Sequence, residues 1–126
     1  MPAIARLRTI ALDTPDPEGL ARFYQGLIGG EVTSTVDDWV DLRVDGVRLA
    51  FQLAPDHQPP DWGDPQRPQQ FHIDLTVDDI EAAEPHVLAL GATKHDRQPG
   101  ADENWRVYVD PSGHPFCLVW DYSGAD

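Results

Sequence analysis

The sequence predicts an α+β fold in which two tandem βαβββ modules form a cupped mixed sheet, and three observations carry that prediction. First, TIALDTPDPEGLARFYQGLIGGEV (9–32) lines up with HIDLTVDDIEAAEPHVLALGAT (72–93) once a two-residue gap is allowed near the glycines. Second, each copy is followed by a hairpin pattern. Third, a proline-rich stretch without periodicity separates the copies. Self-similarity of this kind means that one supersecondary unit has been used twice.

Taken in order, each copy opens on an alternating strand and passes through a helix start signal into an amphipathic helix that stops at glycine. In the first copy Asp16 is the expected cap and Pro17 takes the first helical position, where its missing N–H costs nothing. Leu20, Phe23, Tyr24 and Leu27 form its apolar stripe. In the second copy Asp78 is the expected cap with Glu81 at capping-box spacing, and Ile80, Ala83, Val87 and Leu90 approximate a stripe. Pro85 falls inside that helix and is expected to kink or loosen it. The segment 39–53 reads as a hairpin turning at Asp45-Gly46, and 105–120 reads as a hairpin around Asp110-Pro111-Ser112-Gly113. A weaker strand, EVTSTV (31–36), precedes the first hairpin, with ATKHD (92–96) as its fainter counterpart. Module one thus spans about 5–54, a Pro-rich linker 55–70, and module two about 71–122, all within one domain of residues 1–126. The linker also carries Trp62, an aromatic that a pure spacer does not need.

Strand alternation assigns faces. Val40, Leu42, Val44, Leu49, Phe51 and Leu53 fall on one side; Trp39, Asp41, Arg43, Arg48, Ala50 and Gln52 fall on the other. In the second hairpin Val107 and Val109 are grouped with Phe116, Leu118 and Trp120 as apolar, and Trp105 goes with them. Arg106, Tyr108, Cys117 and Val119 are grouped as the mixed side, together with His72 and Asp74. The apolar side must be covered by the helices. The mixed side reads either as a cupped binding surface or as a solvated face. On it, Trp39 and Tyr108, with Trp62 from the linker, offer rings to a flat or cationic ligand, or else pack in the core or a dimer. Arg43, Arg48 and Arg106 either hold a ligand carboxylate or neutralise Asp41 and Asp74.

Composition excludes several classes. With 22 acidic and 9 basic residues the net charge is -13, which repels phosphate backbones and predicts no nucleic-acid partner. No apolar run approaches a membrane span, and MPAIARLRTI lacks the apolar stretch of a signal peptide, so no membrane association is expected. Cys117 is the single cysteine, so no internal disulfide forms, and a reducing, cytoplasmic location is expected. No glycine-rich phosphate loop, zinc cluster or Ser-His-Asp arrangement appears.

The stretches LDTPDPEGLARFYQGLIGGEV, FHIDLTVDDIEAAEPHVLALGAT and VDPSGHPFCLV resemble the vicinal oxygen chelate superfamily, which groups glyoxalases, bleomycin-resistance proteins and extradiol dioxygenases. The resemblance covers roughly residues 5–122 and is nearest to the short glyoxalase-like proteins of high-GC bacteria. It implies paired βαβββ modules, a pocket cupped by each sheet, and a homodimer, which sedimentation would detect. It also implies that any divalent ion is held by residues of the first and last strand of each module. Position by position these are Thr9, Gln52 (or Ala50 without the gap), His72 and Cys117, of which only His72 matches the usual ligand type. No metal is therefore favoured; if a divalent metal is bound, His72, Gln52, Asp74 and Cys117 are the ligand set. The implied sheet order, first strand beside last, places His72 next to Cys117. The thiol then reads as an apolar pocket-liner, the favoured reading, or as an activated nucleophile.

The resulting expectation is a metal-independent, glyoxalase-like protein that binds a small molecule, sequestering an aromatic or cationic toxic compound as bleomycin-resistance-type members do. Its ligand-binding residues are Trp39, Asp41, Arg43, Arg48, Gln52, Trp62, His72, Asp74, Arg106, Tyr108 and Cys117, with no catalytic residue assigned. The alternative is a metal-dependent lyase, isomerase or dioxygenase with His72 as a ligand, the ion acting as a Lewis acid. A third reading is an interaction module with a vestigial pocket.

Overall fold

The computed structural model describes residues 3–36 and 38–121, so the expected end of module two at 122 lies outside the described residues. The chain divides into two compact units, Met1–His57 and Gln58–Asp126. The first contains β1 (Ile10–Thr14), α1 (Pro17–Ile28), β2 (Glu31–Val36), β3 (Trp39–Val44) and β4 (Val47–Leu53). The second contains β5 (Ile73–Thr76), α2 (Ile80–Ala89), β6 (Thr93–Lys94), β7 (Trp105–Val109) and β8 (Pro115–Val119). Their four-stranded sheets have equivalent orders, β1-β4-β3-β2 and β5-β8-β7-β6. In each the first strand runs parallel to the last, and the other pairs are antiparallel. This is the α+β architecture of two βαβββ modules that the repeat predicts.

Helix α1 forms where the sequence places it. The Asp16 side chain accepts from the Gly19 N–H at 3.0 Å, and Pro17 occupies the start of the helix. Gly29 ends it at φ 79°, and its N–H returns to the Gln25 carbonyl at 2.8 Å. Leu20, Phe23 and Tyr24 are buried, and Tyr24 stacks on Phe51 of β4 with ring centroids 5.7 Å apart. Each such side chain contributes about 1.5–3 kcal/mol of burial free energy, which fixes the helix on the apolar side of the sheet.

Helix α2 departs from expectation at its start. The cap is Asp79, not Asp78: the Asp79 Oδ1 accepts from the Glu81 N–H at 3.0 Å and the Ala82 N–H at 3.3 Å. A cap needs extended backbone one residue before the first helical turn, and Asp79 supplies it at φ -139°, ψ 110°. The helix runs through Pro85 to Ala89. Only Ile80 and Val87 of its stripe are buried, while Leu90 is exposed. The expected fourth strand shrinks to Thr93–Lys94, beyond which the Gln98 side-chain amide serves the backbone N–H and carbonyl of Val107. No helix among the described residues is long and apolar enough to cross a membrane.

The two hairpins differ in loop length, and this sets their faces. Asp45 and Gly46, at φ 49° and 81°, make a two-residue turn with Val44 opposite Val47. Trp39, Asp41 and Arg43 therefore share a side with Gln52, Ala50 and Arg48, as expected. In module two, residues 110–114 form a five-residue loop with Val109 opposite Pro115. The Asp110 carboxylate organises it by accepting from the N–H groups of Ser112 and His114. Odd positions now pair with odd ones, so Val107 lies opposite Cys117 and Tyr108 opposite Phe116. Arg106 and Tyr108 thus belong to the helix-covered side with Phe116 and Leu118, whereas Trp105 and Val107 belong to the side of Cys117. The expected grouping of these four residues is corrected by one change of parity.

Residues 58–70 contain no helix or strand yet pack within the second unit. Asp61 accepts from the His95 ring at 2.8 Å, a bond that holds its carboxyl below the usual range. Trp62 lies with its ring centroid 4.9 Å from that of His72 and 6.1 Å from that of Trp105.

Candidate functional site

The side of module two opposite α2 gathers the chemistry. Strand β5 lies parallel to β8, which sets Asp74 directly beside Cys117, and His72 projects on the same side two residues earlier. One ligand-capable atom from each of His72, Asp74 and Cys117 lies within 4.8 Å of the other two. His72 Nε2 is 3.1 Å from Asp74 Oδ1, and its Nδ1 is 3.1 Å from the Gln69 amide oxygen. The edge of the ring pair formed with Trp62 completes its surroundings. Asp74 is open to solvent at 61% side-chain exposure, His72 is at 27%, and Cys117 is sealed at 1%. Burial, followed by the charge of Asp74 and a hydrogen bond to it, pushes the Cys117 thiol up to about 12. The thiol is therefore protonated at neutral pH, contrary to what an activated nucleophile requires.

Trp62 and Trp105 flank this cluster. Trp105 was expected in the core; its strand partner is instead Val119, on the side of Cys117. Trp105 and Gln69 are the participants that sequence reasoning missed. Trp105 could have been found by counting the five residues of the 110–114 loop; Gln69, in a segment without periodicity, carries no such signal.

Arg106 and Tyr108, expected as ligand contacts, serve the other side of the sheet. The Tyr108 hydroxyl donates to Glu84 at 2.6 Å, Arg106 donates to Glu84 at 3.1 Å and Glu81 at 2.6 Å, and Lys94 lies 3.2 Å from Glu84. The Tyr108 bond chiefly holds the Glu84 carboxyl below its usual range, against the opposing effect of burial; Lys94 and Arg106 add to it. Burial and the same carboxylate raise the Tyr108 phenol. Arg106 also lies over Trp120, 5.6 Å from its ring centre. This network fastens α2 to β7.

In module one, Trp39 Nε1 donates to Asp41 at 2.9 Å, both residues being half-buried, while Gln52 is exposed. Arg43 and Arg48 face one another across the β3–β4 hairpin. The register also identifies the module-one counterparts of the cluster. Ala11 pairs with Ala50 as Asp74 pairs with Cys117, and Thr9 stands where His72 does. Gln52 corresponds instead to Val119. The donor set of module two, one nitrogen, one oxygen and one sulfur, fits a zinc-type ion at three positions with one left for an exogenous ligand. The matching positions of module one supply no comparable donor.

The comparisons agree with this architecture. No curated protein matches the chain. Among solved structures, a glyoxalase/bleomycin resistance protein/dioxygenase family enzyme from Burkholderia phytofirmans PsJN superposes with a TM-score of 0.71 at 18% identity, over 94% of this chain and 100% of that one. The fosfomycin resistance protein FosX from Listeria monocytogenes gives 0.70 at 18% identity, over 96% and 97%. A variant of that Listeria protein was solved with Mn(II) and a dihydroxypropylphosphonic acid, with a TM-score of 0.70 at 16% identity, over 96% and 95%. At these identities the likeness establishes the fold. The glyoxalase-like domain family matches residues 9–119, and with a register that repeats from module to module the chain belongs to that family, within the vicinal oxygen chelate group.

Proposed function

We infer that the protein binds a small flat aromatic or cationic molecule on the side of module two formed by His72, Asp74, Trp62 and Trp105. The observation that carries this reading is the pairing of two neighbouring indoles with a solvent-open carboxylate, in a chain of net charge -13. Indole faces attract flat rings and cations, and a carboxylate beside them selects positive charge. The protonated, buried Cys117 acts as the apolar floor, and its proton keeps Asp74 oriented together with the His72 ring.

A second reading is favoured by the convergence of three donors. His72, Asp74 and Cys117 would hold a divalent ion, which would supply Lewis-acid polarisation of a bound oxygen. In that reading Asp74 gives up its hydrogen bonds, Cys117 loses its proton, and Gln69 keeps the ring of His72 aimed through Nδ1. Neither reading uses Gln52, Arg106 or Tyr108.

One experiment separates the two. Purified protein is analysed for metal, then screened against aromatic and quaternary-ammonium compounds by melting temperature and tryptophan fluorescence, with and without chelator. The first reading expects a stabilising ligand that quenches fluorescence, is indifferent to chelator, and is lost in Trp62→Ala. Near one equivalent of metal, removed together with ligand response in His72→Ala, would replace it with the second.

A further inference from the structure

Module one contains a feature that this reading does not use. Arg6, Leu7 and Arg8, which precede β1, meet Arg43, Gly46 and Arg48 of the β3–β4 hairpin around a cavity of about 450 Å³. Four of the nine basic residues of a strongly acidic chain thus line one space. Of the other five, Arg22, Arg67, Lys94 and Arg106 are ion-paired and Arg97 is not, and among the described residues no carboxylate forms an ion pair with Arg6, Arg8, Arg43 or Arg48. Arg43 and Arg48 are direct cross-strand partners, and like charges in that position repel. The Nε of Arg48 is buried, and no acceptor among the described residues reaches it. Buried polar groups are almost always satisfied, so an orphan donor among unpaired guanidinium groups calls for an external acceptor. Among the described acids, Glu31 is the cross-strand partner of Arg43 on β2 but forms no ion pair with it and does not line the cavity. Asp41 accepts from Trp39 on the same side of β3, and the exposed Asp45 at the turn is not among the lining residues.

We propose that this cavity is an oxyanion-binding site that takes a phosphate or carboxylate group of a small ligand. Guanidinium groups match such oxygens in paired donor geometry, and the anion converts the Arg43–Arg48 repulsion into a shared attraction. The net negative charge of the chain does not prevent this, because at physiological ionic strength charges beyond about 8 Å are largely screened. The site selects an anion, the opposite sign to the ligand of the module-two cluster, so it stands or falls independently of that reading.

The test uses the full chain with inorganic phosphate, pyrophosphate and citrate as probes, and sodium chloride at matched ionic strength as reference. Binding is read by calorimetry and by melting temperature. At least one probe should raise the melting temperature by about 3 °C or more over chloride. The probe effective at lowest concentration tells phosphate from carboxylate. Arg43→Gln and Arg48→Gln should each weaken binding at least tenfold, while in the absence of anion Arg43→Gln melts no lower than the parent because the repulsion is gone. Arg22→Gln, which alters an exposed arginine paired with Glu18, should keep the response. No response beyond chloride, or an equal response in the Arg43 and Arg48 variants, overturns the proposal.

Discussion

The ionisation of Cys117 can be tested cleanly, because it is the single thiol of the chain. Burial and Asp74 push its pKa from 9.0 to about 12, so at any pH below both values the thiolate fraction falls by about a thousandfold. Access alone would also slow alkylation, but it would not change the pH at which the rate levels off. The informative measurement is therefore the iodoacetamide rate against pH, followed by mass spectrometry. The rate should keep rising about tenfold per unit beyond pH 9, where a free thiol begins to level. Asp74→Asn removes the charge, leaves only a weaker amide acceptor and keeps the burial, so its profile should shift to lower pH and stop short of a free thiol. The same shift has a stability consequence. A thiol raised on folding stabilises the native state fully below its unfolded value, and this contribution is lost as pH rises from about 9 towards about 12. The profile is accordingly confined to pH values at which circular dichroism shows the protein still folded. A rate that levels off at or below pH 7 would refute the reasoning and make Cys117 a nucleophile.

Two further expectations concern stability. Glu84→Gln weakens the acceptor shared by Tyr108, Arg106 and Lys94 and should cost about 1–3 kcal/mol at pH 7 by urea unfolding. Because the Glu84 carboxyl is lowered on folding, its contribution is present above 4.5 and disappears as pH falls through the folded value, so parent and variant should converge in acid; no difference at pH 7 would contradict the network. Gly29 and Gly30 both hold positive φ, but a Cβ at Gly29 meets nothing within 4 Å, whereas one at Gly30 would lie 2.5 Å from the Arg43 carbonyl oxygen. Gly29→Ala should cost about 1–3 kcal/mol of backbone strain and Gly30→Ala visibly more in thermal unfolding, and the reverse order would show that the β2 entry yields more easily than its backbone contact implies.

How far the sequence could be read depended on what fixed each feature. Asp16, Pro17 and the Asp45-Gly46 turn are local signals whose chemistry leaves few alternatives, and the structure keeps them all. The cap of α2 shifted by one residue because Asp78 and Asp79 are chemically equal and only the backbone decides which of them is extended. The larger error was a matter of parity. Hydrophobicity grouped Val107 with Phe116 and Leu118, yet register in a hairpin is set by loop length, and five residues reverse what two would give. Arg106, Tyr108 and Trp105 changed sides together for that one reason. The approach of Trp62 to His72 depends on how a segment without periodicity packs, and no pattern in residues 58–70 encodes it.

The divergence between the two copies bears on what the protein can do. Where module two has His72, Asp74 and Cys117, module one has Thr9, Ala11 and Ala50, and β1 pairs with β4 as β5 pairs with β8. The difference in donors between the copies is therefore one of residue and not of backbone. Adjacent parallel strands alone bring one donor atom from each of His72, Asp74 and Cys117 within 4.8 Å of the other two. A site built this way is open on one side, which suits a bound small molecule or an ion with an exchangeable position better than a closed structural centre. Module one instead carries Arg43 and Arg48 in a cross-strand pair with which, among the described residues, no carboxylate forms an ion pair. On the two proposals made above, the modules carry surfaces of opposite preference, one for a cation or flat ring and one for an oxyanion. Substitutions in either module should leave the ligand response of the other in place.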